Sequence, residues 1–135
     1  GAMVELSGAL YVATSGTARI YRIDPVNTVV TDSLQLTGYL SDIATDGEYL
    51  YVLNPDSVAK VEDSPLTLLS SGQIRRSAGS YFYALNVKRP GGMVYVTTIM
   101  SPGGSGRLEA YHADGTIAHA PWLLGLFPGT IAFRP

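Results

Sequence analysis

The sequence contains no cysteine. Disulfide staples and thiolate-bound metals are therefore excluded, while the redox compartment is left open. No run of 18 or more apolar residues occurs, so no stretch is long enough to cross a bilayer as a helix. Charge is scarce: 15% of the 135 residues are charged and the net charge is −2. There is no basic stripe, and nucleic acid is not an expected partner. Helical periodicity is nearly missing as well. Its best candidate, "SPLTLLSSGQI" (64–74), is short and interrupted by Pro65 and Gly72, and it reads as a strand.

What is present is apolar and punctuated. Hydrophobic residues make up 46% of the chain, enough for a core, and 15 glycines and 8 prolines separate short runs rich in Val, Ile, Leu, Tyr and Thr. That is the pattern of short strands joined by turns. Gly1-Ala2-Met3 resembles the remainder of a cleaved tag, and residues 1–3 are set aside.

The runs repeat. Tyr11, Tyr51 and Tyr95 sit in matching contexts, Leu10-Tyr11-Val12, Leu50-Tyr51-Val52 and Val94-Tyr95-Val96, with gaps of 40 and 44 residues. A second strand follows each: "ARIYRID", "SVAKVED" and "RLEAYHAD". A third follows in "NTVVTDSLQL", "SPLTLLSSGQ" and "TIAHAPWLLGL". A fourth closes each copy in "LSDIAT", "YALNVK" and "GTIAFR", where Ile43, Val87 and Ile131 are spaced by 44 and 44. Four strands in roughly 42 residues, three times over, is the period of a propeller blade. The expectation is an all-β chain of three four-stranded β-propeller blades over about 8–46, 47–90 and 91–135. Near-continuous runs such as "EYLYVLN" and "MVYVTTIM" fit blades buried on both faces.

Residues 11–30, "YVATSGTARIYRIDPVNTVV", resemble the YVTN-type repeat of bacterial and archaeal surface-layer propellers, where a "YV…N" strand leads through "V.VID…TNTVV" to the next. Residues 81–133 are similar to the closing blades of YncE-like propellers of bacterial cell surfaces. The middle unit departs from the pattern, because "SVAKVEDSPLTLL" lacks the "DP..NTVV" turn. The resemblance covers nearly all of 8–134. It implies a scaffold at the cell surface or in the envelope and brings no catalytic residue.

Propellers close with about 4–8 blades, so three leave two apolar flanks open. On this reading the chain starts at the second strand of a blade and ends on a spare first-type strand, "GTIAFRP". A head-to-tail homodimer would form one six-bladed ring in which each C-terminal strand completes the partner's first blade. The rival is a piece cut from a longer propeller, which would leave the same flanks.

Chemistry is thinly written. His112 and His119 flank the Asp114-Gly115 turn and read as a solvent-exposed hairpin, without the spacing of a zinc site. "MSPGGSGR" (100–107) lacks the lysine and the strand-to-helix context of a phosphate loop. Asp42, Asp46, Asp56, Glu62 and Asp63 lie near turns, which Asp favours through side-chain hydrogen bonds to the backbone. No catalytic triad, metal site or cofactor motif is legible. The polar connection "GQIRRSAGSYFYAL" (72–85) carries the candidate binding residues. Arg75, Arg76 and Tyr81 would share one loop face with Tyr39 and Phe127, since Arg and aromatics dominate binding energy. The plainer alternative is that Tyr81 and Tyr83 pack between blades and the arginines are solvated. Trp122 reads as packing. The leading expectation is a non-catalytic binding or scaffold module for protein or glycan. The other is a lyase or hydrolase with its site at the channel mouth.

Overall fold

A computed structural model describes residues 3–89, 92–100, 103–126, 128–129 and 131–134. They form three antiparallel sheets and, among the described residues, no helix. Sheet 1 runs in order through β1 (Met3–Leu6), β2 (Ala9–Thr14), β3 (Arg19–Asp24) and β4 (Val29–Gln35). Sheet 2 is built from β5 (Asp42–Thr45), β6 (Leu50–Leu53), β7 (Ser57–Glu62) and a fourth position shared by β8 (Thr67–Leu68) and β9 (Ile74–Arg75), both paired with β7. Sheet 3 is β10 (Ser80–Lys88), β11 (Met93–Met100), β12 (Ser105–Tyr111) and β13 (Ile117–Leu126).

The three anchor tyrosines hold one place in the ladder. Tyr11 faces Val4 and Arg22, Tyr51 faces Ala44 and Lys60, and Tyr95 faces Asn86 and Ala110. The 44-residue spacing of Ile43 and Val87 does not survive as register. Ile43 lies opposite Val52, one residue after its anchor, whereas Val87 lies opposite Val94, one before. The ladder counterpart of Ile43 is Leu85, opposite Val96. A shift of two residues preserves the face, so the hydrophobic pattern alone does not reveal it.

Side-chain alternation explains the continuous apolar runs. In β6, all of whose residues are buried, Leu50 and Val52 join Ile43 and Val61 in a core shared with Leu6, Tyr11 and Ile20 of sheet 1. Tyr51 and Leu53 point the other way, joining Ala44 and Val58 in a second core with Leu85, Val94 and Val96 of sheet 3. A strand with a core on each side has no polar face to write. Both β1 and β10 lie against β5, so the first strands of the three sheets are neighbours.

Two differences from the sequence reading concern the ends. The first sheet does not begin at a second strand: Met3 to Leu6 pair with Val12 to Ala9, so the chain supplies its own edge. The segment "GTIAFR" is not a strand over its described residues 131–134. It crosses the outward face of sheet 3 instead. Asn86 Nδ2 donates to the Ile131 carbonyl at 2.9 Å, and the Tyr95 and Phe133 rings meet edge-on at 5.4 Å. Among the described residues no strand lies beside it to complete a ladder. A third difference is the break in "SPLTLLSSGQ" between β8 and β9. Gly72 has φ +74°, and a Cβ there would sit 2.6 Å from Lys60 Cδ and 3.0 Å from the Ala113 carbonyl. The break makes room for the 112–116 hairpin of sheet 3, to which Lys60 Nζ donates at Ala113 O, 2.9 Å.

Polar ties cross the apolar cores. Arg22 Nε donates to Tyr11 Oη at 3.0 Å and lies 3.5 Å from Asp63 of sheet 2. The Asp32 carboxylate accepts from Leu66 N at 2.9 Å, and Tyr51 Oη donates to Asp46 Oδ2 at 2.8 Å. Burial, then the Asp63 carboxylate, pushes the Tyr11 phenol up to about 12. Burial and Asp46 push Tyr51 further in the same direction.

Two measurements check this architecture. Leu50→Ala is expected to cost about 2–5 kcal/mol in urea unfolding. Leu123→Ala, at a site 86% exposed, should stay within about 0.5 kcal/mol. Equal costs would contradict the two-sided burial of β6. The buried phenols set an alkaline limit, because a raised acid pKa stabilises the fold fully below the unfolded value, near 10 for tyrosine. That stability drains as pH rises from about 10 through about 12. Melting temperature followed over that range should fall, with Tyr11 and Tyr51 ionising together with unfolding rather than before it.

Candidate functional site

Asp24, Asp46 and Asp114 are occupied by their own turns, whereas Asp63 pairs with Arg22 and Asp56 with Arg76. Asp24 Oδ1 accepts from Val26 N at 2.9 Å, Asp46 Oδ1 from Tyr49 N at 2.7 Å, and Asp114 Oδ1 from Thr116 N at 3.0 Å. These bonds hold Asp24 and Asp114 below the usual carboxylate range, with the Asn27 and Thr116 side chains as the largest causes. Asn54 Oδ1 caps the β6–β7 turn in the same manner. Such residues shape hairpins and leave few lone pairs for a ligand. Among the described residues, no three His, Asp or Glu side chains converge as a metal site.

Four of the five candidate binding residues can be placed, and Phe127 lies outside the described residues. Tyr39 is 60% exposed on the β4–β5 connection, whose Thr37 carbonyl accepts from Asn54 Nδ2 at 3.4 Å. The β6–β7 turn meets the 76–82 segment in turn: Phe82 N donates to Pro55 O, and Arg76 N to Asp56 O, both at 2.9 Å. Three connections are thus linked at one end of the sheets. Arg76 is engaged there. Its Nε lies 2.6 Å from Asp56 Oδ1, its Nη1 donates to Ser80 O at 3.1 Å, and its guanidinium stands 5.1 Å over the Tyr81 ring. Tyr81 is 46% exposed and Tyr83 is also exposed, so neither packs between sheets; Phe82 does, strand alternation turns Tyr81 out, and Tyr83 is the extra residue of a bulge between Phe82 and Ala84. Arg75 stays exposed and borders clefts on both sides of sheet 2.

One of these clefts, between sheets 2 and 3, was not legible as a site. It has a volume of about 290 Å³. Arg107, Glu109 and Tyr111 occupy alternate positions of β12, opposite Thr98, Val96 and Val94, and so face sheet 2. The corresponding face of β7, toward sheet 1, is Ser57, Ala59 and Val61. Where β7 puts small and apolar groups against its neighbour, β12 puts an arginine, a carboxylate and a phenol. Glu109 is 6% exposed. Tyr111 Oη donates to Glu109 Oε1, and Arg107 Nη2 lies 3.5 Å from Oε2. Burial and then the Glu109 contact push the Tyr111 phenol well above its ordinary value. The R-x-E-x-Y alternation at 107–111 was the available signal; it passed for an ordinary hairpin arm.

Comparisons place little beside this geometry. No family model matches the chain. No curated protein matches it. Among solved structures it is similar to hydrazine synthase of Kuenenia stuttgartiensis at 12% identity and a TM-score of 0.45, over 87% of this chain and 46% of that one. The chain thus spans about half the length of the structure it matches.

The Arg76–Asp56 pair is exposed, and such pairs contribute about 0.2–1 kcal/mol. A double-mutant cycle with Arg76→Ala and Asp56→Ala should return a coupling energy in that range, shrinking in high salt. A coupling several times larger would mean the pair organises the loop end rather than decorating it.

Proposed function

We propose that the three sheets are blades of a β-propeller, and that the chain is a non-catalytic binding or scaffold module that closes its ring with a second copy. The observation that carries this reading is sheet 2. It is buried on both faces between sheets 1 and 3, and its first strand touches the first strands of both neighbours. Stacking of this kind is open-ended, since each outer sheet repeats the middle one but has a partner on one side only.

The outer faces fit that role. Cross-strand pairing puts Met3, Leu10, Val12, Tyr21, Ile23 and Val30 on the outward face of sheet 1. Met3 and Val30 are both 59% exposed. At the other end, Tyr95, Leu108, Trp122 and Leu124 share the outward face of sheet 3. Apolar faces of this extent are association surfaces on soluble proteins. Asn86 holds 131–134 across sheet 3, beside β10, where the first strand of a following blade would run. In a ring the partner's β1 takes that place and the segment moves aside. The face belongs to the cell-surface scaffold role implied by the YVTN-type motif, with protein or glycan as ligand.

Light scattering at micromolar concentration tests the assembly. The expected mass is twice the 14.3 kDa of the chain. Val12→Asp and Tyr21→Glu, on the outward face of sheet 1, should each shift the protein toward monomer without changing its β-sheet circular dichroism. A monodisperse wild-type monomer would refute ring closure by a second copy.

A further inference from the structure

We infer that the segment after β13 is a strap: it occupies the place of a following blade's first strand and holds back ring closure until the β1 edge of a second copy displaces it. This rests on the reading of the chain as part of a ring closed by a second copy, and adds a control at that same face.

The strap is seated at four points across the outward face of sheet 3. On β12, a Cβ at Gly106 would stand 2.2 Å from Pro128 Cδ, so only a bare glycine admits the proline ring. On β11, Thr97 Oγ1 lies 3.4 Å from the Pro128 carbonyl, and the Tyr95 ring meets Phe133. On β10, Asn86 Nδ2 donates to Ile131 O. Cross-strand pairing puts all four of these residues on one face. Thr97 is 3% exposed there, a burial that befits a sheet with a neighbour.

The seat copies a contact inside the chain. Asp42 Oδ1 accepts from Ile43 N at 2.9 Å and its Oδ2 from Leu85 N at 3.4 Å, which ties β5 to the first strand of the next sheet. Asn86, 44 residues on, repeats the device. Its Oδ1 accepts from Val87 N at 2.8 Å, and its Nδ2 reaches forward to Ile131. Tyr51 packs toward sheet 3, and Tyr95, at the same ladder place, packs on Phe133. One cavity of about 260 Å³ is bordered by β1, β5, β10 and Ile131, so Ile131 joins the three first strands around a common space. The strap thus imitates the blade that ring closure would bring, and the two cannot share the place. A contact available only when the strap is open is weakened by the open fraction. A ring of two chains must open two straps, so a strap shut in about nine chains of ten weakens closure about a hundredfold.

Sedimentation equilibrium of the full chain, from nanomolar to high micromolar concentration, reads the dimer dissociation constant. Phe133→Ala removes the contact with Tyr95 and should tighten the dimer at least about fivefold. A chain ending at Leu126 keeps β1 to β13 and should tighten it about a hundredfold. Both should retain the wild-type β-sheet circular dichroism, and Phe133→Ala carries the test if the shortened chain misfolds. Val12→Asp added to either variant should abolish the gain, because the freed face of sheet 3 then meets no apolar face of sheet 1. The inference is overturned, with the ring left standing, if the wild type dimerises and neither variant dimerises more tightly. It is also overturned if the gain survives Val12→Asp. If no form dimerises, the ring falls and the strap with it.

Discussion

The structure depends on the burial of one sheet from both sides. β6 contributes Leu50 and Val52 to one core and Tyr51 and Leu53 to the other. A sheet of this kind cannot exist alone, because either face left in water would forfeit the apolar area that holds it. Sheets 1 and 3 are therefore conditions for sheet 2, and each inherits the same problem on its far side. The polar ties follow from this. Tyr11 with Arg22 and Asp63, and Tyr51 with Asp46, satisfy phenols that the stacking has carried out of reach of bulk water.

The two ends answer their exposure differently. Sheet 1 presents a mixed apolar face with no cover among the described residues. Sheet 3 has part of its face crossed by 131–134, held by Asn86 and the Tyr95–Phe133 contact. The second arrangement changes the meaning of the C-terminal strand pattern. A sequence fit for a strand becomes one only when a neighbour offers the other half of the ladder. Among the described residues "GTIAFR" has the composition and lacks the neighbour, whereas "MVEL" has both, which is why Met3, set aside with the tag remnant, lies in the sheet edge.

The cleft at Glu109 arises from a local breach of the same rule. The stacking favours small or apolar residues where sheets meet, and β7 complies with Ala59 and Val61. β12 instead buries a carboxylate, a guanidinium and a phenol, and its neighbour's fourth strand is broken into β8 and β9. Polar groups at a contact between sheets are costly unless they serve each other or a ligand. Sites are found where a repeating scaffold departs from its own pattern.

Much of the scaffold could be read from residue order alone. Period-2 alternation is local, so the strands around Tyr11, Tyr51 and Tyr95 and their tripling were legible, as was the role of Asp24, Asp46 and Asp114 in turns. What the order of residues left open was every relation between strands distant in the chain. It did not show that Ile43 matches Leu85 rather than Val87, that Gly72 must yield to the Ala113 hairpin, that Phe82 and not Tyr81 enters the core, or that Glu109 and Arg107 each keep an unmet atom beside the other. A period of two specifies which face a side chain takes but not its height along the ladder. That height is decided by backbone pairing and by the shape of the neighbouring sheet, which only the folded chain brings into contact.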